Sequence, residues 1–300
     1  MINGIINVYK EAGYTSHDVV ARLRGILKQK KIGHTGTLDP DAVGVLPVCL
    51  GSGTRLCDML TGQSKEYRAG LLLGIETDTQ DISGRVLAEK EVRVSEQQTR
   101  EAILSFVGGY DQIPPMYSAI KVGGRKLYQL AREGREVERS PRRVEIHFIE
   151  IERLSLPEAT LRVGCSKGTY IRTLCSDIGR RLGCGGTMQS LERTRVGEFS
   201  IEDALTLDQI ERLQAAGELE GRILPVETVF ADLPAVTVKK KFQKLIDNGN
   251  AFYRHMLLEK QEPAAGEQVR VYNEEGSFYG IFVYQKEGER FRPVKMFMEK

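Results

Sequence analysis

The sequence predicts an α+β fold, a largely antiparallel sheet flanked by helices, followed by a small β-rich module. Strand-like runs alternate with helical patterns whose starts carry capping signals. A weakly periodic stretch with two prolines, 218–234, marks a boundary. Beyond it come short β-type runs separated by turn signals.

Taken in order, Ile2 to Tyr9 reads as a strand broken at Gly13, and Ser16 as the cap of a helix with Val19, Val20, Leu23, Ile26 and Leu27 at helical spacing. The stretch Ile32 to Pro47 is dense in Gly, Thr, Asp and Pro and reads as one long irregular loop, and long ordered loops tend to be functional. Tyr67 to Leu73 is a strand. Ser95 and Gln98 form a capping box before a helix with Ile103, Leu104 and Val107, stopped by Gly108-Gly109. Val144–Leu154 and Thr160–Cys165 read as strands, and Thr173–Leu182 as a helix ended by Gly183. Thr206 with Gln209 opens a last helix, to about Ala216. In the terminal module the strands are Gln268–Tyr272, Phe278–Tyr284 and Arg292–Phe297.

Hydrophobic residues at 41% supply a core, and charged residues at 28% fit a globular protein. The net charge is only +2, but its distribution is uneven. Arg22 to Lys31 holds five basic residues and no acidic one, and Lys121 to Arg143 holds eight basic and three acidic. Such stretches suit a polyanion on one face, and equally an ordinary solvated surface. Five cysteines without C-x-x-C spacing argue against zinc and for reduced thiols. The first residues lack a secretory pattern, and no apolar run approaches the ~18 residues of a membrane span. The chain reads as soluble and cytoplasmic.

Two segments are rich in chemistry. In Gly33-His34-Thr35-Gly36-Thr37-Leu38-Asp39-Pro40 the proline biases Asp39 away from helical angles, so its carboxylate can be presented from an extended turn. Asp-Pro in a loop is also ordinary turn chemistry. In Lys167-Gly168-Thr169-Tyr170-Ile171-Arg172-Thr173-Leu174, strand geometry would put Tyr170 and Arg172 on one face, where the arginine could pair with a carboxylate and keep it ionised. A strand with one polar face is the plainer reading. No P-loop, G-x-S-x-G elbow, H-E-x-x-H or zinc-deaminase signature is present. Thr77-Asp78-Thr79-Gln80-Asp81 is a poor calcium loop and reads as a hydrogen-bonded turn.

Together these segments resemble the TruB family of tRNA pseudouridine-55 synthases. The matching motifs run in order: GHTGTLDP at Gly33–Pro40, LPVCLG at Leu46–Gly51, Lys65-Glu66-Tyr67, Thr77-Asp78-Thr79 with Asp81, IPPMYSA at Ile113–Ala119, Lys126-Leu127-Tyr128, KGTYIRTL at Lys167–Leu174 and Leu182-Gly183-Cys184-Gly185. They cover about residues 2 to 215. The resemblance implies a pseudouridine synthase catalytic domain over 1–230, with a basic thumb-like insertion at about 121–143, and a PUA-like RNA-binding domain over 231–300. It assigns Asp39 as the catalytic aspartate, Arg172 as its partner and Tyr67 as the tyrosine stacking on the target base. Tyr170 and Leu191 line the pocket, His34 contacts the RNA loop and Lys10 belongs to the N-terminal motif. Tyr9-Lys10-Glu11-Ala12-Gly13 stands where many members have an Asp-Lys-Pro-x-x-Gly-like run, and Glu192 replaces a common basic residue.

The implied reaction isomerises one uridine of the tRNA T-loop, and neither cofactor nor metal is called for. A tRNA-folding chaperone with secondary catalysis and a guide-RNA-dependent synthase are the competing readings. The implied partner is the tRNA T-stem-loop, bound by a monomer with no obligate protein partner and no membrane.

Overall fold

In the computed structural model, residues 1–259 and 263–298 are described; residues 260–262 and 299–300 of the expected terminal module lie outside them. The first half of the chain supplies β1 (Gly4–Lys10), α1 (Ser16–Leu27), β2 (Ile32–His34), β3 (Val43–Leu50), α2 (Cys57–Thr61), β4 (Lys65–Leu73), the hairpin β5 (Ile75–Thr77) and β6 (Val86–Glu89), α3 (Glu96–Leu104) and β7 (Gly108–Gln112). The hairpin β8 (Lys121–Val122) and β9 (Arg125–Lys126) with α4 (Leu127–Arg132) lies in the basic stretch 121–143. Then come β10 (Arg142–Ser155), β11 (Glu158–Cys165), α5 (Ile171–Arg181), β12 (Gly186–Val196), β13 (Phe199–Ser200) and α6 (Leu207–Ala216). The terminal module adds β14 (Ala235–Val238), α7 (Gln243–Asp247), β15 (Phe252–Tyr253), β16 (Gln268–Asn273), β17 (Phe278–Gln285) and β18 (Arg290–Met296).

The main sheet has nine strands, in the order β1-β3-β12-β4-β11-β10-β7, with β2 on β3 and β13 on β12. Every pairing is antiparallel except β12 with β3, so the expected largely antiparallel sheet is present. One apolar cluster packs α3 and α5 on β4, β10 and β11; another packs α1 and α6 on β1 and β3. The terminal module is a five-stranded sheet, β14-β16-β17-β18-β15.

Several elements differ from the sequence reading. Thr15 caps α1: its hydroxyl accepts from the Asp18 N–H at 3.1 Å, and its own N–H donates to the Asp18 carboxylate at 2.8 Å. That completes a capping box one residue before the expected Ser16 and frees the Ser16 hydroxyl for another partner. The supposed loop 32–47 is half sheet, because β2 and β3 pair and leave 35–42 irregular. Tyr170 and Arg172 do not lie on a strand. Ile171, Leu174, Cys175 and Ile178 are buried at helical spacing, so α5 begins at Ile171 and its first turn carries Arg172. Strand β12 has no counterpart in the sequence reading. Its two irregularities in pairing with β4, at Met188/Ser190 and Arg193/Arg195, break the period-two pattern that identifies strands. Strands β7, β14 and β15 were likewise unforeseen.

The 218–234 segment is two short 3₁₀ turns, Leu219–Arg222 and Val226–Phe230. Val226 and Phe230 join Ile5 and Val45 of the first sheet, and Leu56 just after β3, to Ile281 of the second sheet and Phe297 just after β18 in one apolar cluster. The Phe230 ring lies 5.7 Å from Phe297 and 6.4 Å from Phe278. Replacing this buried ring leaves a cavity, so Phe230→Ala is expected to cost about 3 kcal/mol in equilibrium urea unfolding.

Candidate functional site

The irregular segment 35–42 is pinned on both sides of Asp39. Thr35 ties its start: its N–H and its hydroxyl both donate to the Pro47 carbonyl, at 3.2 and 3.1 Å. The Ser16 hydroxyl oxygen accepts the Leu38 N–H at 2.9 Å, and the Leu38 side chain is buried in the core. On the other side, the Pro40 carbonyl accepts from the Lys10 ammonium at 2.9 Å and from the Gly13 N–H at 3.0 Å. Lys10 has no exposed surface, and burial lowers its pKa to about 8 against the pull of Asp41 and Asp39. Lys10 therefore supports the loop from beneath, through a backbone carbonyl.

Arg172 meets Asp39 from the first turn of α5. Its Nε lies 3.0 Å from one carboxylate oxygen and its Nη2 donates to the other at 3.3 Å, a bidentate pair. Nη2 also donates to the Tyr117 carbonyl at 2.9 Å. Nη1 donates to the Thr79 carbonyl at 3.1 Å and lies 3.7 Å from the Asp81 carboxylate. The arginine side chain is 6% exposed and that of Asp39 40%, so the pair presents its carboxylate to solvent and keeps its cation inside. Burial pushes the Asp39 carboxyl up and the Arg172 guanidinium opposes the rise.

The expected Thr77–Asp81 turn is present and holds Asp81 for this purpose. The Asp81 carboxylate accepts from the Thr79 hydroxyl at 2.7 Å and the Ser83 N–H at 3.1 Å. Thr79, Asp81, Tyr117 and Asp39 thus converge on one guanidinium.

Tyr67 lies on β4, 8% exposed, in the same apolar cluster as Leu38 and Ala42, with Leu191 packed against it. Burial pushes its phenol up, and the Arg193 guanidinium is the main influence opposing the rise. The backbone of Tyr170 is clamped by Gln112, which accepts its N–H at 2.8 Å and donates to its carbonyl at 3.0 Å. His34 is half-buried at the end of β2, its Nδ1 3.1 Å from the Gly36 carbonyl oxygen, and burial lowers its pKa. Asp39, Arg172, Tyr67, Tyr170 and Leu191 all belong to elements meeting around the Asp39 loop, with Lys10 and His34 at its base.

Residues 24–171 match the family described as TruB family pseudouridylate synthase (N terminal domain), and residues 172–231 match the tRNA pseudouridylate synthase B C-terminal domain. The chain belongs to the TruB family. It is 51% identical over 307 residues to the tRNA pseudouridine synthase B of Lachnoclostridium phytofermentans, covering 99% of this chain and 100% of that one. It is 47% identical over 295 residues to that of Alkaliphilus oremlandii, covering 98% and 97%. Among solved structures it is similar to a chain of an H/ACA ribonucleoprotein bound to a substrate RNA containing 2′-deoxyuridine, with a TM-score of 0.71 and 26% identity. That match covers 99% of this chain and 85% of the other.

Two charged residues at this TruB-family site were not singled out as site residues from the sequence. Asp81 was read only as part of a turn and a motif. Arg193 lies in β12, itself unforeseen. The two departures from the family pattern meet in space: the Tyr9 hydroxyl donates to the Glu192 carboxylate at 3.2 Å.

Arg172 favours the ionised form of Asp39, so its loss raises the Asp39 pKa. In Arg172→Gln the Asp39 titration is expected to move to higher pH, read by NMR on carboxyl-labelled protein. A midpoint unmoved or lowered would show that the pair does not govern this carboxyl.

Proposed function

We propose that this chain isomerises uridine 55 in the T-loop of tRNA to pseudouridine, with Asp39 as the catalytic carboxylate. The observation that carries this reading is the pinned, solvent-facing Asp39 gripped bidentately by a buried arginine. The reaction breaks the C–N glycosidic bond, forms a C–C bond at C5 of the same uracil, and moves a proton from C5 to solvent while N1 gains one. Base and sugar are both retained, so positioning is the principal demand.

The uracil must leave the RNA stack, which costs a few kcal/mol. Stacking on Tyr67 offsets about 1–3 kcal/mol of that cost. Tyr170 and Leu191 border the extruded base, and His34 faces the RNA loop. Lys10 contributes by fixing the Pro40 carbonyl beneath Asp39. Residues 1–230 are the catalytic domain and 231–300 a PUA-like RNA-binding domain, and the chain acts as a cytoplasmic monomer.

The insertion at 121–143 serves as a thumb that contacts phosphates of the T-stem. Its Arg125 is paired with Glu133 and its Arg139 with Glu136, while Lys121 is exposed and Lys126 lies over the Tyr128 ring. A guide-RNA-dependent activity is the less favoured reading. The chain shares 47–51% identity with the two tRNA enzymes above, against 28% with a chain of a Cbf5-Nop10-Gar1 complex, of which it covers 85%.

The test is tritium release from [5-³H]uridine-labelled T-arm stem-loop RNA. Wild type is expected to release tritium and Asp39→Asn to release none while still binding RNA. Binding without release from either protein would favour a chaperone, and equal release would remove Asp39 from the reaction. Each phosphate contact contributes about 0.9 to the slope of log K against log salt for duplex-like RNA. Replacing both Lys121 and Lys126 by alanine is therefore expected to flatten that slope by about 2, measured by filter binding.

A further inference from the structure

Helix α5 carries Arg172 in its first turn, yet its N-cap residue, Tyr170, makes no side-chain capping bond. Ser, Thr, Asp or Asn ordinarily hold such a position with their own side chains. Here the restraint comes from another element. Gln112, the last residue of β7, is 1% exposed and reaches the backbone of Tyr170 from the edge of the main sheet.

The Gln112 side-chain carbonyl accepts the Tyr170 N–H at 2.8 Å. Its amide Nε2 donates to the Tyr170 carbonyl at 3.0 Å and to the Tyr110 hydroxyl. Only one orientation of the amide satisfies this set, because turning it over would set donor against donor and acceptor against acceptor. The Tyr170 carbonyl also accepts the Leu174 N–H at 3.1 Å, which is the first bond of α5. Both its lone pairs are engaged, one by the helix and one by Gln112. The start of α5 is thus tied to β7 by two bonds through one residue, as in a hydrogen-bonded pair of antiparallel strand residues.

The same short segment returns to the far end of the arginine. Gln112 pairs with Arg142 of β10, and residues 113–141 leave the sheet between them. Five residues past Gln112, the Tyr117 carbonyl accepts from Arg172 Nη2 at 2.9 Å. That nitrogen also donates to Asp39, at 3.3 Å, the longer and weaker of its two bonds. Residues 112–117 therefore hold Arg172 at both ends, by the backbone two residues before it and by its guanidinium. A shift of the α5 start against β7 would move the root of the arginine while Tyr117 holds its tip, and the bond to Asp39 would be the first lost.

We propose that Gln112 is a positioning residue for the isomerisation: by locking the backbone of Tyr170 to the end of β7, it sets the root of Arg172 so that the guanidinium reaches the Asp39 carboxylate and the Tyr117 carbonyl together. The inference rests on the reading of Asp39 as the catalytic carboxylate.

Wild type, Q112M, Arg172→Gln and the double variant are compared by single-turnover tritium release from the T-arm stem-loop, RNA affinity, thermal midpoint and the Asp39 titration read by NMR. Methionine keeps the length of glutamine without an N–H donor. Loss of one functional hydrogen bond corresponds to roughly tenfold in rate, so Q112M is expected to react roughly tenfold more slowly at unchanged RNA affinity. Its Asp39 midpoint is expected to rise, by less than in Arg172→Gln. In the Arg172→Gln background Q112M should add no further rise, because the group it acts through is gone. A lower thermal midpoint with the rate and the Asp39 titration of wild type would reduce Gln112 to a packing role and overturn the proposal. So would a slowed rate with an unmoved Asp39 midpoint, a moved midpoint with a wild-type rate, or additive rises in the double variant. Equal tritium release from wild type and Asp39→Asn would overturn the reading of Asp39 itself, and the role of Gln112 in the reaction with it. If Q112M does not fold, Q112N, whose amide falls one methylene short of Tyr170, completes the same cycle with the same non-additivity required.

Discussion

One guanidinium organises the site. Arg172 has five N–H donors in a rigid fork, and they are distributed over the Asp39 and Asp81 carboxylates and the carbonyls of Thr79 and Tyr117. Those groups come from three segments widely separated in sequence, and the arginine itself from a fourth. Each contact restrains the others, so the Asp39 carboxylate has little freedom to turn even though it is partly open to solvent. A lysine could not reproduce this, since a point charge lacks the planar fork that grips a carboxylate by two oxygens. Removing Arg172 would also leave Asp81 without its cation partner at a half-buried site.

Beneath this group lie two further buried cations, and each is satisfied differently. Lys10 donates to the backbone carbonyls of Pro40 and Glu11. Arg193 donates to the Val45 carbonyl and stands opposite Tyr67 in the sheet register. Carbonyl oxygens carry only partial charge, so the two leave positive potential under a loop whose function is to present an anion. The arrangement depends on backbone detail: Gly44 admits the close approach of β3 to β12, and Ser16, released from capping by Thr15, holds Leu38.

Much of this was readable beforehand, and the unread parts have physical reasons. Asp39, Arg172 and Tyr67 were legible because they stand in densely patterned motifs, and the structure brings the motifs together. The partnership of Arg172 was anticipated but its setting was not. Tyr170 and Arg172 suggested a strand by their spacing, whereas the apolar residues from Ile171 to Ile178 follow the helical repeat. Arg193 was invisible because β12 has two register irregularities and a charged stretch, Glu192 to Arg195, that obscures strand periodicity. Asp81 was legible as a turn residue only, since its pairing with a helix 91 positions later leaves no local trace. The starts of α3 and α6 were the most accurate, because Ser95 with Gln98 and Thr206 with Gln209 decide them within four residues.

The seam between the two sheets has a geometric consequence. Phe230, Phe278 and Phe297 interlock there within one apolar cluster, and the Arg55 guanidinium donates to the Met296 carbonyl at 2.5 Å. Such a joint is packed as a protein interior rather than hinged as a linker. The distance from the Asp39 carboxylate to the terminal module is then set by the fold, and the molecule works as a calliper with its jaws locked. Any ligand that touched both modules would have to match a span that the fold itself sets.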